Sequence, residues 1–340
     1  MKHYYKRNSL MAFLPSLIVA LMAGVVSAQS TDSWDVPRTA DGHADLQGVW
    51  SNNTLTPVER PEVFGDKQIL TEEDMVFLQR RISEIQAEDG DALFGDGVLA
   101  AAFSGEVKSY DPTTGNYDQS WLAERSVHNR TSQIIDPPNG KFPPRTEEAV
   151  AMGNLARERR QDHPADSWLD RPLSERCVSY GAPYLGSGYN SYWQIVQSRD
   201  HVVIVQEMIH DVRVIPVVEM PHADESIKLW HGDSRGYWDG DTLVIETTNY
   251  SDKSGFGPET SAKVNIERIS RLDETTLRYE ITSNDPGSYT APYTREILFD
   301  YSPEPIFEYA CHEGNYGMMN ILSGHRAEER FAREEAAAVN

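Results

Sequence analysis

The sequence predicts a mainly β protein, an antiparallel barrel or sandwich in its second half with a helical, loop-rich first half packed around it. Three observations lead there. From Tyr192 onward, short apolar runs follow one another with turn residues between them, and no intervening helix is available for a parallel crossover. Within those runs the apolar residues alternate. Leu277, Tyr279 and Ile281 interleave with Arg278, Glu280 and Thr282, the period of two that gives a strand one dry face and one wet one. Finally, Tyr237-Trp238-Asp239-Gly240-Asp241-Thr242 sets an Asp-Gly pair between strand formers, the chemistry of a tight hairpin.

Residues 1–28 read as a signal peptide. Lys2, Lys6 and Arg7 precede an apolar run from Leu10 to Val26, and Val26-Ser27-Ala28 offers the small residues of a cleavage site. Pro15 and Ser16 interrupt the run and no basic stop-transfer flank follows, which favours a removable leader over an anchor. No later stretch is long and apolar enough to span a bilayer. The expected location is therefore periplasmic or secreted, without stable membrane insertion after cleavage. Loss of the three leader cations takes the formal net charge from −22 to −25, a field that repels nucleic acid and anionic membranes and excludes both as partners.

Residues 29–190 read as an arm, two helices and long covering loops. Asp45-Leu46-Gln47-Gly48-Val49-Trp50 is a short strand candidate within the arm. Thr71 opens a helix, with Glu72, Glu73 and Asp74 complementing its dipole and Leu78, Ile82 and Ile85 at helical spacing to about Gln86. A second helix is expected over 146–160, with Val150 and Leu155 on its buried side. The loops at 87–145 and 161–190 are long enough to imply that they cover something. The barrel is expected over 191–325, from strands Tyr192–Gln197, His201–Met208, Val212–Val218, Thr242–Thr248, Val264–Arg271, Thr275–Thr282, Thr294–Tyr301 and Ile306–Tyr309. Residues 326–340 read as a polar tail. Cys177 and Cys311 are the only cysteines; they are either one disulfide or two buried thiols, and an oxidising compartment favours the disulfide.

Gly48-Val49-Trp50 is a Gly-x-Trp element of the kind that opens a lipocalin barrel, with the Trp plugging its closed end. More broadly, the opening Pro37-Arg38-Thr39-Ala40-Asp41-Gly42-His43-Ala44-Asp45-Leu46-Gln47-Gly48-Val49-Trp50 resembles that of a large family of secreted, mostly uncharacterised bacterial proteins. Asp136-Pro137-Pro138-Asn139-Gly140, His210-Asp211-Val212-Arg213-Val214-Ile215-Pro216, Gly232-Asp233-Ser234-Arg235-Gly236 and Tyr309-Ala310-Cys311-His312-Glu313-Gly314-Asn315-Tyr316 carry the same resemblance. It implies a lipocalin-like antiparallel β-barrel and attaches no reaction. Asn265 departs from it, where the family pattern has His.

Two constellations carry the chemistry. His312 and Glu313 sit with Tyr309, Asn315 and Tyr316 within eight residues, and an imidazole beside a carboxylate can exchange protons near neutral pH. The competing reading is a hydrogen-bonded corner beside a disulfide. His210, Asp211 and Arg213 open a strand; Asp211 and Arg213 share a face and either bind a ligand or close a barrel rim with a salt bridge. Trp230, His231, Asp233, Ser234 and Arg235 read mainly as a turn between Gly232 and Gly236, and His222 as a loop ligand or an exposed residue. The histidines and carboxylates suffice in number for a divalent metal, but no metal-binding spacing, serine-hydrolase elbow or nucleotide fingerprint indicates a cofactor.

The expectation is therefore an exported pocket protein doing cofactor-independent acid/base chemistry, as a lyase, isomerase or hydrolase, on a small neutral organic or sugar-like substrate. His312, Glu313, His210 and Asp211 are the expected catalytic groups. Arg213, Tyr309, Asn315, Tyr316, Trp230 and His222 are expected to bind substrate, with both clusters meeting in one pocket. The alternative is a lipocalin-like periplasmic carrier of a small hydrophobic ligand.

Overall fold

The computed structural model describes residues 34–87, 99, 102, 125–253 and 259–339, and the fold is that of the unit beginning at Val36. The expected leader and most of the loop between 88 and 124 lie outside the described residues. Ten antiparallel strands form one sheet: β1 (Gly48–Ser51), β2 (Ile134–Asp136), β3 (Tyr192–Gln197), β4 (His201–Gln206), β5 (Val212–Pro216), β6 (Asp233–Asp239), β7 (Thr242–Thr248), β8 (Val264–Arg271), β9 (Thr276–Asn284) and β10 (Tyr293–Ser302). Their order is β5-β4-β3-β1-β10-β9-β8-β7-β6, with β2 pairing on β10 off this path. Three α-helices have described ranges, α1 (Glu72–Ala87), α2 (Glu147–Asp162) and α3 (Tyr316–Val339), and Leu99 and Ala102 are also helical. None is long and apolar enough to cross a membrane among the described residues.

Alternation drives the curvature. Leu277, Tyr279, Ile281 and Ser283 of β9 are buried while their neighbours are partly exposed, and β8 repeats the pattern with Asn265, Glu267 and Ile269. The sheet wraps around these side chains. Trp193 packs its ring against Tyr279 at 5.2 Å and Phe299 at 4.8 Å, and Trp50 is fully buried with its indole N–H donating to Leu46 O at 2.9 Å. Rings of this size stabilise by roughly 2–3 kcal/mol each when removed from water. The arm supplies β1, which inserts between β10 and β3 and joins the two halves of the ladder.

The expected barrel is not closed. β5 and β6 are the two edges, and no ladder joins them. Side chains occupy the seam: a Cβ on Gly236 would lie 3.1 Å from Ile215 and 3.0 Å from Val217, and the Arg213 guanidinium reaches Ser234 at 3.4 Å. β5 also ends at Pro216, which has no N–H to extend a ladder.

Other expectations need adjustment. Ile306–Tyr309 is not a strand, because Pro303 and Pro305 break the chain after β10. β4 stops at Gln206, where a 3₁₀ turn over Met208–His210 begins. The turn expected around Gly232 and Gly236 is strand β6. The residues expected as a polar tail are helical through Val339, forming the second half of α3, whose Ala, Glu and Arg are strong helix formers. Helix α2 forms as expected, capped by Thr146, but Val150 and Leu155 are 49% and 59% exposed and Ala149 is its buried residue.

Candidate functional site

Towards one end of the sheet the inward positions change from apolar to polar. Arg213 on β5 donates to both Glu267 oxygens, at 2.9 and 2.6 Å, with both side chains nearly inaccessible. Tyr279 adds a hydrogen bond to Glu267 at 3.0 Å; Asn265 donates to Tyr250 at 3.0 Å and accepts from Ser283 at 2.9 Å. Burial works against the guanidinium charge, but the Glu267 carboxylate outweighs it and raises the Arg213 pKa. Burial raises the Tyr250 and Tyr279 hydroxyls, reinforced by the Glu267 charge. The layer therefore holds one fixed ion pair and neutral phenols.

Above it lies a second cluster. Ser179 donates to Asp211 at 3.2 Å and lies 3.3 Å from His231 Nε2, which is 3.4 Å from the same Asp211 oxygen. The Ser179 oxygen also accepts the Gly181 N–H at 2.9 Å. Ser179 comes from the covering loop, Asp211 from the start of β5 and His231 from the approach to β6, so the tertiary fold alone brings them together. The backbone beside them is strained. Cys177, Ile209 and His210 have φ of 54°, 58° and 59°, and a β-branched residue such as Ile209 rarely adopts that conformation. Tyr180 and Tyr184 flank the loop, and burial, with Tyr180 and Tyr309 nearby, pushes the Tyr184 hydroxyl up to about 12.

The sequence-selected residues divide. Asp211 is in this cluster and Arg213 in the layer beneath it, while His210 is turned out to solvent. Cys177 and Cys311 are joined, with Cα atoms 5.6 Å apart, which brings 309–316 to the same end. His312 and Glu313 are nevertheless exposed there, and their side chains make no hydrogen bond or ion pair among the described residues. Asn315 caps α3 through Met318 N–H at 3.4 Å and donates to Glu175 O at 3.1 Å. Tyr316 is exposed at the start of α3, and Tyr309 is half-buried near Tyr184. His222 is pinned between Asp233 at 2.8 Å and Glu246 at 3.1 Å, outside the layer.

Trp230 lines a cleft of about 1240 Å³ whose walls are α2, the 169–176 loop and the segments at 252–253, 259–260 and 287. For a metal, Asp166, His325 and Glu329 gather their ligand atoms within 4.8 Å, but these groups are partly exposed and already paired with His163 or Arg326. No family model matches the chain, and no curated protein matches it.

Ser179 was invisible in the sequence, lying in an irregular aromatic-rich stretch without a motif. His231 was visible, but its partnership with Asp211 depends on how β6 and β5 approach each other. The 161–190 loop is tied to the sheet and the arm by local hydrogen bonds. Tyr184 N–H donates to Gln206 at 2.7 Å, and Asn52 donates to the carbonyls of Leu185 and Gly186 at 3.2 and 3.0 Å.

Proposed function

We propose that this is an exported enzyme performing acid/base chemistry, as a lyase, isomerase or hydrolase, on a small organic or sugar-like substrate at the polar end of the sheet. The observation that carries the reading is the mutual contact of Ser179, Asp211 and His231, held between backbone segments in a costly conformation. A carboxylate against Nε2 favours the tautomer with its proton there, leaving Nδ1 as the lone pair that takes a proton. Asp211 and Ser179 position the ring, and His231 moves the proton. This geometry differs from a serine-hydrolase relay, in which the carboxylate and the serine lie on opposite ring nitrogens. His312 lacks such an orienting partner, so His231 takes the acid/base role expected of His312.

The disulfide suits an oxidising compartment and supports export. What supports a lipocalin-like reading is the buried Trp50 in the Gly-x-Trp element and the single antiparallel sheet, although that sheet is not closed. The carrier alternative is weakened because Trp50, Trp193, Tyr279 and Phe299 fill the space inside the sheet that an apolar ligand would occupy.

The test is deuterium exchange into the small molecule that co-purifies with the protein, identified by mass spectrometry. His231→Asn is expected to slow exchange by about a hundredfold or more while leaving the melting temperature near that of the parent. Exchange at the parental rate in His231→Asn rejects the assignment. Loss of exchange in His312→Ala alone moves the chemistry to the disulfide segment.

A further inference from the structure

The walls of the 1240 Å³ cleft are cationic in a chain whose formal charge is −22. Arg145, Arg157, Arg160, Arg171, Arg176 and Lys253 line it, against Glu148, Asp252 and Glu259. Pairing sharpens the imbalance. Arg171 is held by Glu175 and Glu259 by Lys263, but Arg145, Arg157, Arg160, Arg176 and Lys253 make no ion pair among the described residues. Two of them rest on rings, Arg145 over Tyr289 at 5.2 Å and Arg176 over Trp168 at 4.6 Å, which fixes their positions without neutralising them. Such excess is not explained by the macrodipole of α2 alone, because Arg145 precedes that helix and Arg176 and Lys253 lie on other segments.

The shape agrees. α2 buries only Ala149 among its described side chains, so hydrophobic packing does not account for its position. Its cleft-lining residues include Ala149, Gly153 and Ala156, with open space beside Gly153, alongside the larger Val150, Met152 and Asn154, and then Arg157 and Arg160 one turn apart. Small residues make the room and the guanidiniums define what enters it. The volume, above that of a typical drug-sized pocket, leaves room for an extended ligand. Trp230 lines the wall and immediately precedes His231 in the chain, but Ser179, Asp211 and His231 do not themselves line the cleft.

We propose that this cleft binds an extended organic anion with several carboxylate, sulfate or phosphate groups, with Arg157, Arg160 and Arg176 as its principal contacts. The proposal replaces the neutral substrate expected from sequence. It rests on the acid/base reading for turnover, but not for binding.

Titration calorimetry of the purified protein with trigalacturonate, citrate and inorganic phosphate, and with maltotriose as an uncharged counterpart, tests it. At least one anion is expected to bind, more weakly as salt rises, while maltotriose does not. Arg157→Gln with Arg160→Gln should weaken that anion by about tenfold or more, and Arg176→Gln should do so independently. Arg268→Gln, which breaks an exposed pair with Asp239 and lies outside the cleft lining, should leave binding unchanged. Equal binding of maltotriose, unaltered affinity in the arginine variants, or no binding by any of the three anions overturns the proposal. His231→Asn separates the two readings: anion affinity near the parental value with exchange retained rejects the chemistry and keeps the cleft.

Discussion

Arg213 is a cation withdrawn from water, and Glu267 makes its position tolerable through two hydrogen bonds in a fixed fork. The pair follows the principle that breaking a buried ion pair costs more than removing it whole. Glu267→Gln is therefore expected to destabilise the protein by about 3–5 kcal/mol in urea denaturation, because it leaves a guanidinium uncompensated. Arg213→Met combined with Glu267→Leu should cost much less than either change predicts alone. A double variant no more stable than Glu267→Gln would show that packing, and not charge, governs the layer. The salt bridge read from sequence as one of two alternatives paired Arg213 with Asp211, whereas the structure pairs Arg213 with Glu267 and sets Asp211 against His231. Glu267 lies on β8, several strands away along the sheet, and only curvature brings the two together. The same holds for Ser179, which has no neighbour in sequence that announces it.

Among the elements, the segment after β10 shows how one covalent bond and a few hydrogen bonds place a stretch without regular structure. Glu207, its carboxyl raised by burial, accepts the Phe307 N–H at 3.2 Å; the disulfide holds Cys311; and Asn315 ties the start of α3 to Glu175. The bond spans 134 residues, so its removal restores much freedom to the unfolded chain. Cys311→Ser is expected to cost about 2–5 kcal/mol, and alkylation of the denatured, unreduced parent should find no free thiol. Two reactive thiols in that assay would show that the bridge does not form in the isolated protein. Strands with strict alternation, such as β8 and β9, were legible because burial on one face imposes the period. Helix α2 was legible as a helix but not in orientation: Val150 and Leu155 signal a core face, yet both are exposed, Val150 on the wall of the cleft. The first half of β6 was hidden by Gly236, although its Asp-Gly hairpin with β7 was legible, and the helical period of α3 was obscured by Gly317 and Gly324.

At the scale of the whole molecule, a curved sheet is held nearly shut by side chains in place of a final ladder. Its edges, β5 and β6, come together where Ile215 and Val217 approach the backbone of β6, and Gly236 is the position that admits them. This accounts for a glycine inside a strand, where it otherwise weakens pairing and packing. It also protects two edges that would be open to pairing with other chains. Gly236→Val would place methyl groups against two branched side chains already at 3.0–3.1 Å from an ideal Cβ, and the seam can yield only by separating. The expected cost is about 1–3 kcal/mol, with faster amide exchange confined to β5 and β6. The remaining strands should keep their protection, because each retains both ladder partners. Opening the seam would also shift Arg213 relative to Ser234 and Asp211 relative to His231, since each pair spans the two edge segments. The variant should therefore lose deuterium exchange into the bound molecule while anion affinity at the α2 cleft, which β5 does not line, stays near the parental value. Uniform loss of amide protection across the sheet would mean that the seam is part of one cooperative core, and that the polar end is not poised on the approach of two independent edges.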